Sequence, residues 1–384
     1  MPDLRPLVFP LMLVLALSGC GSPTVTPAPR PPGPPPALSP AGDLELADRP
    51  PPAISPGGGF LLGVAGDRLR LLGLPGLEER ACFDTGAAGP WELLWSPRGD
   101  AFAVVMEDPP GVYRGGIDGS LVRLAEGRVG PLAWSDDGVW LVLGRPLATL
   151  NPLTGETWIA PLAETAEVRS PLFSPDGGRV YFTLFDDDLE EDLWVWDWRA
   201  GGLERLTADG RGYYPWGWWT PDRLVVELGA IGTGGGHTHG FGVLDAGTGT
   251  VTILETDPLQ GWRLLSLLPG TSLVLGQVAH AFTGEGRRIL VRDLFSGSAR
   301  IIAEGVWAAT AMAGPPGCLI LALRGDEGNC RLVCCQVETG SLTEVAVSER
   351  PLCLLGLVGR EVYYLEWAES GWRFRRVELP GTGG

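Results

Sequence analysis

The sequence predicts an all-β chain folded as a β-propeller of four-stranded antiparallel blades, with eight blades preferred and seven the alternative. Three observations carry this. One short turn recurs at near-even spacing, apolar strands flank each copy, and no amphipathic helix follows residue 20. The turn reads Trp95-Ser96-Pro97-Arg98-Gly99, Trp134-Ser135-Asp136-Asp137-Gly138, Phe173-Ser174-Pro175-Asp176-Gly177 and Trp219-Thr220-Pro221-Asp222, with a worn first copy at Ser55-Pro56-Gly57-Gly58. The steps between copies are 41, 39, 39 and 46 residues. A period of about 40–45 residues with several strands per unit marks propeller blades.

The chain begins with an apolar run, Leu7–Leu17, of the length of a signal-peptide core and too short to span a bilayer comfortably. It ends in Leu17-Ser18-Gly19-Cys20, which resembles the lipobox of bacterial lipoproteins. That resemblance implies a lipid-bearing Cys20 at the start of the mature chain. Two or more acyl chains would hold it stably on a membrane. The stretch to residue 52 is crowded with proline, including Pro31, Pro32, Pro34, Pro35 and Pro36. Such a composition favours extended polyproline geometry and acts as a semi-rigid spacer. The expected organisation is therefore a signal peptide over 1–19, a lipidated Cys20 with a linker over 20–52, and the propeller over 53–384.

Within each unit an apolar strand ends in an aromatic residue before the turn. A second strand follows at once, as in Ala101–Val105, Val139–Leu143 and Val180–Leu184. A third strand such as Leu193–Asp197 and a fourth such as Leu203–Thr207 complete the unit. Alternation between turn signals supports strands throughout. Proline presets the first turn dihedral, aspartate hydrogen-bonds nearby backbone and glycine accepts positive φ. Trp95, Trp134, Phe173 and Trp219 read as core, and Asp137, Asp176 and Asp222 as turn residues rather than acids of a catalytic site. Past residue 260 the motif decays but the strand rhythm gives three more units. The last lacks an evident fourth strand, which residues 43–47 could supply to latch the ring.

These turns resemble the Trp-Ser-Pro-Asp-Gly signature of TolB-type, WD40-like (PD40) propeller repeats, most clearly over residues 91–260. The resemblance implies a binding role outside the cytoplasm. No TolB-type helical domain precedes the repeats, so TolB partners are not carried over.

Composition narrows the function classes. The net charge is −17, and all 29 basic residues are arginine. An acidic chain is a poor nucleic-acid binder. Hydrolase propellers with an α/β-hydrolase domain need a Gly-x-Ser-x-Gly elbow, which is absent. No phosphate loop or dinucleotide fingerprint occurs, so no cofactor is expected. The expected function is a monomeric, membrane-anchored, extracytoplasmic module that binds a protein, peptide or envelope polymer. It is expected not to be an enzyme; the alternative is a propeller-type glycan hydrolase or lyase.

In a propeller, the loops between second and third strands share a face with the blade-to-blade loops, opposite the Ser-Pro-Asp-Gly turns. On that face units four to six carry Asp186 and Asp188 in an acidic run, His237 and His239 in a glycine-rich loop, His280, and the segment Tyr213-Tyr214-Pro215-Trp216. The ligand-binding candidates are Asp186, Asp188, Tyr213, Tyr214, Trp216, His237, His239 and His280. Histidines and carboxylates can ligate Zn or Ca, but a solvated acidic loop is the simpler reading, so no metal is expected. Six further cysteines (Cys82, Cys318, Cys330, Cys334, Cys335, Cys353) leave open one disulfide in the last two units or buried free thiols.

Overall fold

The computed structural model describes residues 45–46 and 52–379, apart from the loop segments 86–89, 128, 164–165, 186–190, 210, 230–237, 257–259, 269, 281–285, 326–327 and 369–370. The described residues form eight four-stranded antiparallel blades arranged as a ring, with no helix among them. The structure is an eight-bladed β-propeller, as the turn spacing predicts.

The chain runs outward in each blade. The first strands of successive blades meet one another and form the inner wall. These inner strands are Ala53–Ile54, Pro90–Trp95, Leu132–Trp134, Glu167–Phe173, Tyr213–Thr220, Gln260–Leu267, Val306–Ala313 and Leu352–Val358. Outer strands such as Gly202–Arg205 and Leu342–Ser348 are largely exposed. Second strands are the most buried, as in Ala101–Glu107 and Cys318–Gly325, and read as near-continuous apolar runs because both faces are covered.

Blade eight is completed by the chain's own beginning. Glu45–Leu46 pairs antiparallel with Gly371–Glu378, placing Glu45 opposite Arg373 and Leu46 opposite Trp372. This is the expected latch.

The recurrent turn is held by its own side chains. In blade four the Ser174 hydroxyl donates to Asp176 at 2.5 Å and accepts from the Arg179 amide, while Asp176 accepts from the Gly178 amide at 3.0 Å. Blade three repeats this with Ser135, Asp137, Trp140 and Val139. Gly138 and Gly177 sit at φ +64° and +67°, where a side chain would be strained. Hydrogen bonds from Ser174 and Gly178 hold the Asp176 carboxyl below its usual range.

Except where Thr238 of blade five pairs with Trp262 of blade six, backbone ladders stop at the blade edges, so adhesion between blades falls mainly to side chains. Trp95 Nε1 donates to the Ala53 carbonyl of the preceding blade at 3.0 Å, and Trp134 Nε1 to Leu94 at 3.2 Å. Trp218, not Trp219, does this in blade five, donating to Phe173 at 2.6 Å. The motif puts Trp219 in this position, but a register shift between Trp218 and Thr220 displaces it. Trp219 instead packs beside the cluster between blades five and six.

Inner strands also bulge against their second strands in six blades, at Pro90/Glu92, Arg169/Leu172, Pro215/Gly217, Leu264/Ser266, Ala308/Thr310 and Leu354/Gly356. A bulge takes a residue out of the ladder. At three of them the preceding blade supplies an acceptor: Glu227 for the Leu264 amide (2.9 Å), Gln277 for Ala308 (2.8 Å) and Thr310 for Leu354 (2.8 Å). Glu92 does the same for Leu132 at 3.3 Å, and its Oε2 is buried with no partner among the described residues.

Burial pushes the Glu92 carboxyl up to about 7, against a smaller opposing effect of the Leu132 amide. The folded state thus binds a proton that the unfolded chain releases near its ordinary value of 4.5. The stability is complete below that value and declines as pH rises through about 7. Glu92→Gln should therefore raise the unfolding free energy from urea melts at pH 8 by about 1–3 kcal/mol, and leave it nearly unchanged at pH 4.5. Equal effects at both pH values would refute a buried neutral carboxyl. Trp218→Phe should cost about 1 kcal/mol more than Trp219→Phe in the same assay, because only the first removes an inter-blade hydrogen bond.

Candidate functional site

Of the candidate residues, Tyr214 stands at the mouth of the ring with a defined set of partners. It lies on the inner strand of blade five, opposite Glu227 on the second strand. Its hydroxyl donates back to Glu191 Oε2 of blade four. The other Glu191 oxygen accepts from Arg169 Nη1 at 2.6 Å. Arg169 also forks onto Glu167 Oε1 through Nε (3.0 Å) and Nη2 (2.9 Å), and its guanidinium lies 5.1 Å from the Phe185 ring centroid.

Local backbone assembles this clasp. Glu167 pairs with Phe185 and Phe185 with Glu191, so the three share one row at the end of blade four. Arg169 sits at the edge of the inner-strand bulge. Its neighbour Ser170 is exposed at φ +48°, a sparsely populated region for a side-chain-bearing residue. Close approach also requires Gly212, since a Cβ there would lie 2.7 Å from Glu191 Oε2 and 3.0 Å from the Tyr214 hydroxyl.

Electrostatics follow from this packing. Burial, and then the hydrogen bond to Glu191, pushes the Tyr214 phenol well above its ordinary value. Burial opposes the Arg169 charge, but Glu167 and Glu191 outweigh it and hold the guanidinium firmly protonated. The result is a hydrogen-bonded clasp between blades four and five in which one guanidinium bridges two carboxylates, leaving one net negative charge. Glu191 is mostly buried, while Arg169 and Glu167 keep 34% and 52% of their side chains exposed. Those two present polar edges to solvent.

A second network sits behind it. Asp192 is buried and accepts from Arg205 and from the Thr207 hydroxyl at 3.1 Å, and Thr207 accepts in turn from the Leu193 amide. Tyr213, only 3% exposed, donates to Asp209 at 2.8 Å, and burial followed by that bond pushes its phenol up to about 12. Thr183 bonds the Tyr213 carbonyl. Tyr213 therefore anchors the connection between blades four and five from within the core. Trp216 packs, partly buried, against the apolar cluster of blades five and six.

Asp186, Asp188 and His237 lie outside the described residues, as does Cys20. His239 lies at a register shift in the third strand of blade five, half-buried, and its buried Nδ1 has no partner among the described residues. His280 ends the second strand of blade six opposite Gln260, two residues from Trp262, whose partner is Thr238. The strand ends bearing His239 and His280 thus meet at the start of one inner strand. Among the described residues no group of three or more His, Cys, Asp or Glu side chains is placed to hold a metal ion.

Arg169, Glu167 and Asp209 were not among the sequence candidates, and Glu191 was visible only as part of an acidic run. A Glu167-x-Arg169 charge pair at the start of an inner strand was the available signal. Cys82, Cys318, Cys330, Cys334 and Cys335 are free thiols, and Cys353 Sγ donates to the Leu354 carbonyl at 3.7 Å. Burial pushes the Cys334 and Cys335 thiols up to about 11.

No protein-family model matches this chain, and no curated protein matches it. Solved structures do. An oligogalacturonate lyase in complex with manganese is 11% identical with a TM-score of 0.56, covering 90% of this chain and 99% of its own. The dihydro-heme d1 dehydrogenase NirN is 16% identical with a TM-score of 0.59, covering 87% and 76%. The dipeptidyl peptidase 4 of Porphyromonas gingivalis is 10% identical with a TM-score of 0.59, covering 84% of this chain and 56% of the peptidase. At these identities the likeness is one of fold: the chain shares the propeller with enzymes of unrelated chemistries.

Proposed function

We propose that this chain is a lipid-tethered extracytoplasmic binding module. Cys20 carries the membrane anchor, the proline-rich stretch is the spacer, and the loop face of blades four to six takes a protein, peptide or envelope polymer. The observation that supports it is the Arg169–Glu191–Tyr214 clasp. It braces the strands on either side of the 186–190 acidic loop with an internally satisfied network. Variable loops on rigid stems are a common arrangement for recognition. Arg169 and Glu167 add exposed polar edges beside them.

The second reading is a glycan lyase or hydrolase. It is favoured by the coverage of the lyase structure, which is matched along 99% of its length, so a lone propeller of this build accommodates such chemistry in that protein.

The two readings separate in one preparation. Full-length protein, with Arg169→Ala and Tyr214→Phe variants, is used for capture from bacterial envelope extracts and assayed on oligogalacturonate with and without manganese. The binding reading expects one protein or polymer captured by the wild type, at least about fivefold less by either variant, and no product. Turnover without capture would replace it with the lyase reading. Fatty-acid labelling should mark the wild type and not Cys20→Ala; label persisting in that variant would overturn the anchor.

A further inference from the structure

A second site, apart from the clasp, lies on the inner wall of blades six, seven and eight. A cavity of about 250 Å³ is lined by Leu265, Ala311, Met312, Leu354 and Leu355, with Arg263, Leu264 and Thr310 beside them. Three inner strands build it, and each bulges there. Leu265 and Leu355 are the residues skipped by the ladder, and both line the cavity.

Arg263 is the group that asks for an explanation. Four charged side chains lie on the described inner strands: Glu92, Glu167, Arg169 and Arg263. Glu92 accepts an inter-blade amide, and Glu167 and Arg169 pair with each other. Arg263 forms no hydrogen bond or ion pair among the described residues. Burial pushes the nearby Glu227 carboxyl up, and the Leu264 amide and then the Arg263 charge oppose this only in part; Glu227 makes its hydrogen bond to the Leu264 amide, not to Arg263. An arginine left unpaired in a chain of net charge −17 has its donor fork available to a ligand.

We infer that this cavity binds a small monocarboxylate with an aliphatic body, the carboxylate on Arg263 and the body against Leu265, Met312 and Leu355. One planar guanidinium matches one carboxylate bidentately. The lining is mixed, so the hydrocarbon body rests on the aliphatic side chains of Leu265, Met312 and Leu355; a cavity of about 150 Å³ already accepts benzene, so this volume suits an acid of about six carbons. The acidic chain disfavours multiply charged anions. Two sources present the same chemistry: a free short-chain fatty acid, and a peptide C-terminus ending in an aliphatic residue.

The test is calorimetric titration of the full-length protein with hexanoate, hexanamide, N-acetyl-glycyl-leucine and its C-terminal amide. The expected result is binding by at least one of the two acids, at least about tenfold tighter than by its matched amide. Arg263→Gln, at an exposed position, should erase that preference while leaving the melting temperature unchanged. Hexanoate alone binding identifies a free acid as ligand; the acetylated peptide alone identifies a chain terminus. Acid and amide binding equally to the wild type, or none of the four binding, would overturn the proposal whatever the behaviour of the variant. A carboxylate preference that survives in a folded Arg263→Gln would overturn it as well.

Discussion

Everything in this ring depends on how one blade is fastened to the next. Within a blade, backbone hydrogen bonds do the work; between most blades no ladder crosses the gap. The inner strands bulge, and a bulge leaves polar backbone that costs free energy when buried unpaired. At three bulges the preceding blade supplies the missing partners, the carboxyl of Glu227, the amide of Gln277 and the hydroxyl of Thr310, and Glu92 does so for the unbulged strand of blade three. Indoles from Trp95, Trp134 and Trp218 reach back and donate in the same direction, to carbonyls of the blade before. The junction of blades three and four relies on aromatic packing instead, with Trp140 and Trp198 at 4.5 Å. Apolar clusters between the sheets complete the adhesion.

The same need shapes the mouth. Arg169 belongs to one blade and Tyr214 to the next, and Glu191 joins them. The clasp is another inter-blade fastener, enriched in charge because it lies at the solvent end of the gap. Propellers host many chemistries on one scaffold, so the fold names none of them. What individualises this chain is the group of side chains placed at the seam of blades four and five, and the unpaired arginine on the inner wall.

Much of the architecture was legible in the sequence because two short-range signals agree. Turn chemistry at Ser135–Gly138 and Ser174–Gly177 marks each hairpin, and alternation marks the strands beside it. The count of eight and the use of the first strand as a latch follow from those signals and from the incomplete last unit. Trp219 was misplaced because a bulge changes register without changing composition, so the repeat aligns the wrong indole. The site was half legible. Tyr214 stood out as an aromatic in a connection, but its partners lie 23 and 45 residues earlier in the chain, at Glu191 and Arg169. No periodicity reports a contact that exists only after two blades dock. Tyr213 looks equivalent to Tyr214 in sequence, yet alternation along the strand sends it into the core.

The latch of blade eight has a mechanical consequence. Glu45–Leu46 is held by two register pairs, whereas the outer strand of blade seven is held by six. Any load arriving through the chain upstream of residue 45 reaches this seam before any other part of the ring. Pulling would peel this two-pair ladder first and open blade eight at its outer edge, leaving the other seven blades still folded. The ring is therefore closed by one of its two shortest ladders, and its opening force is set by two residues rather than by the core.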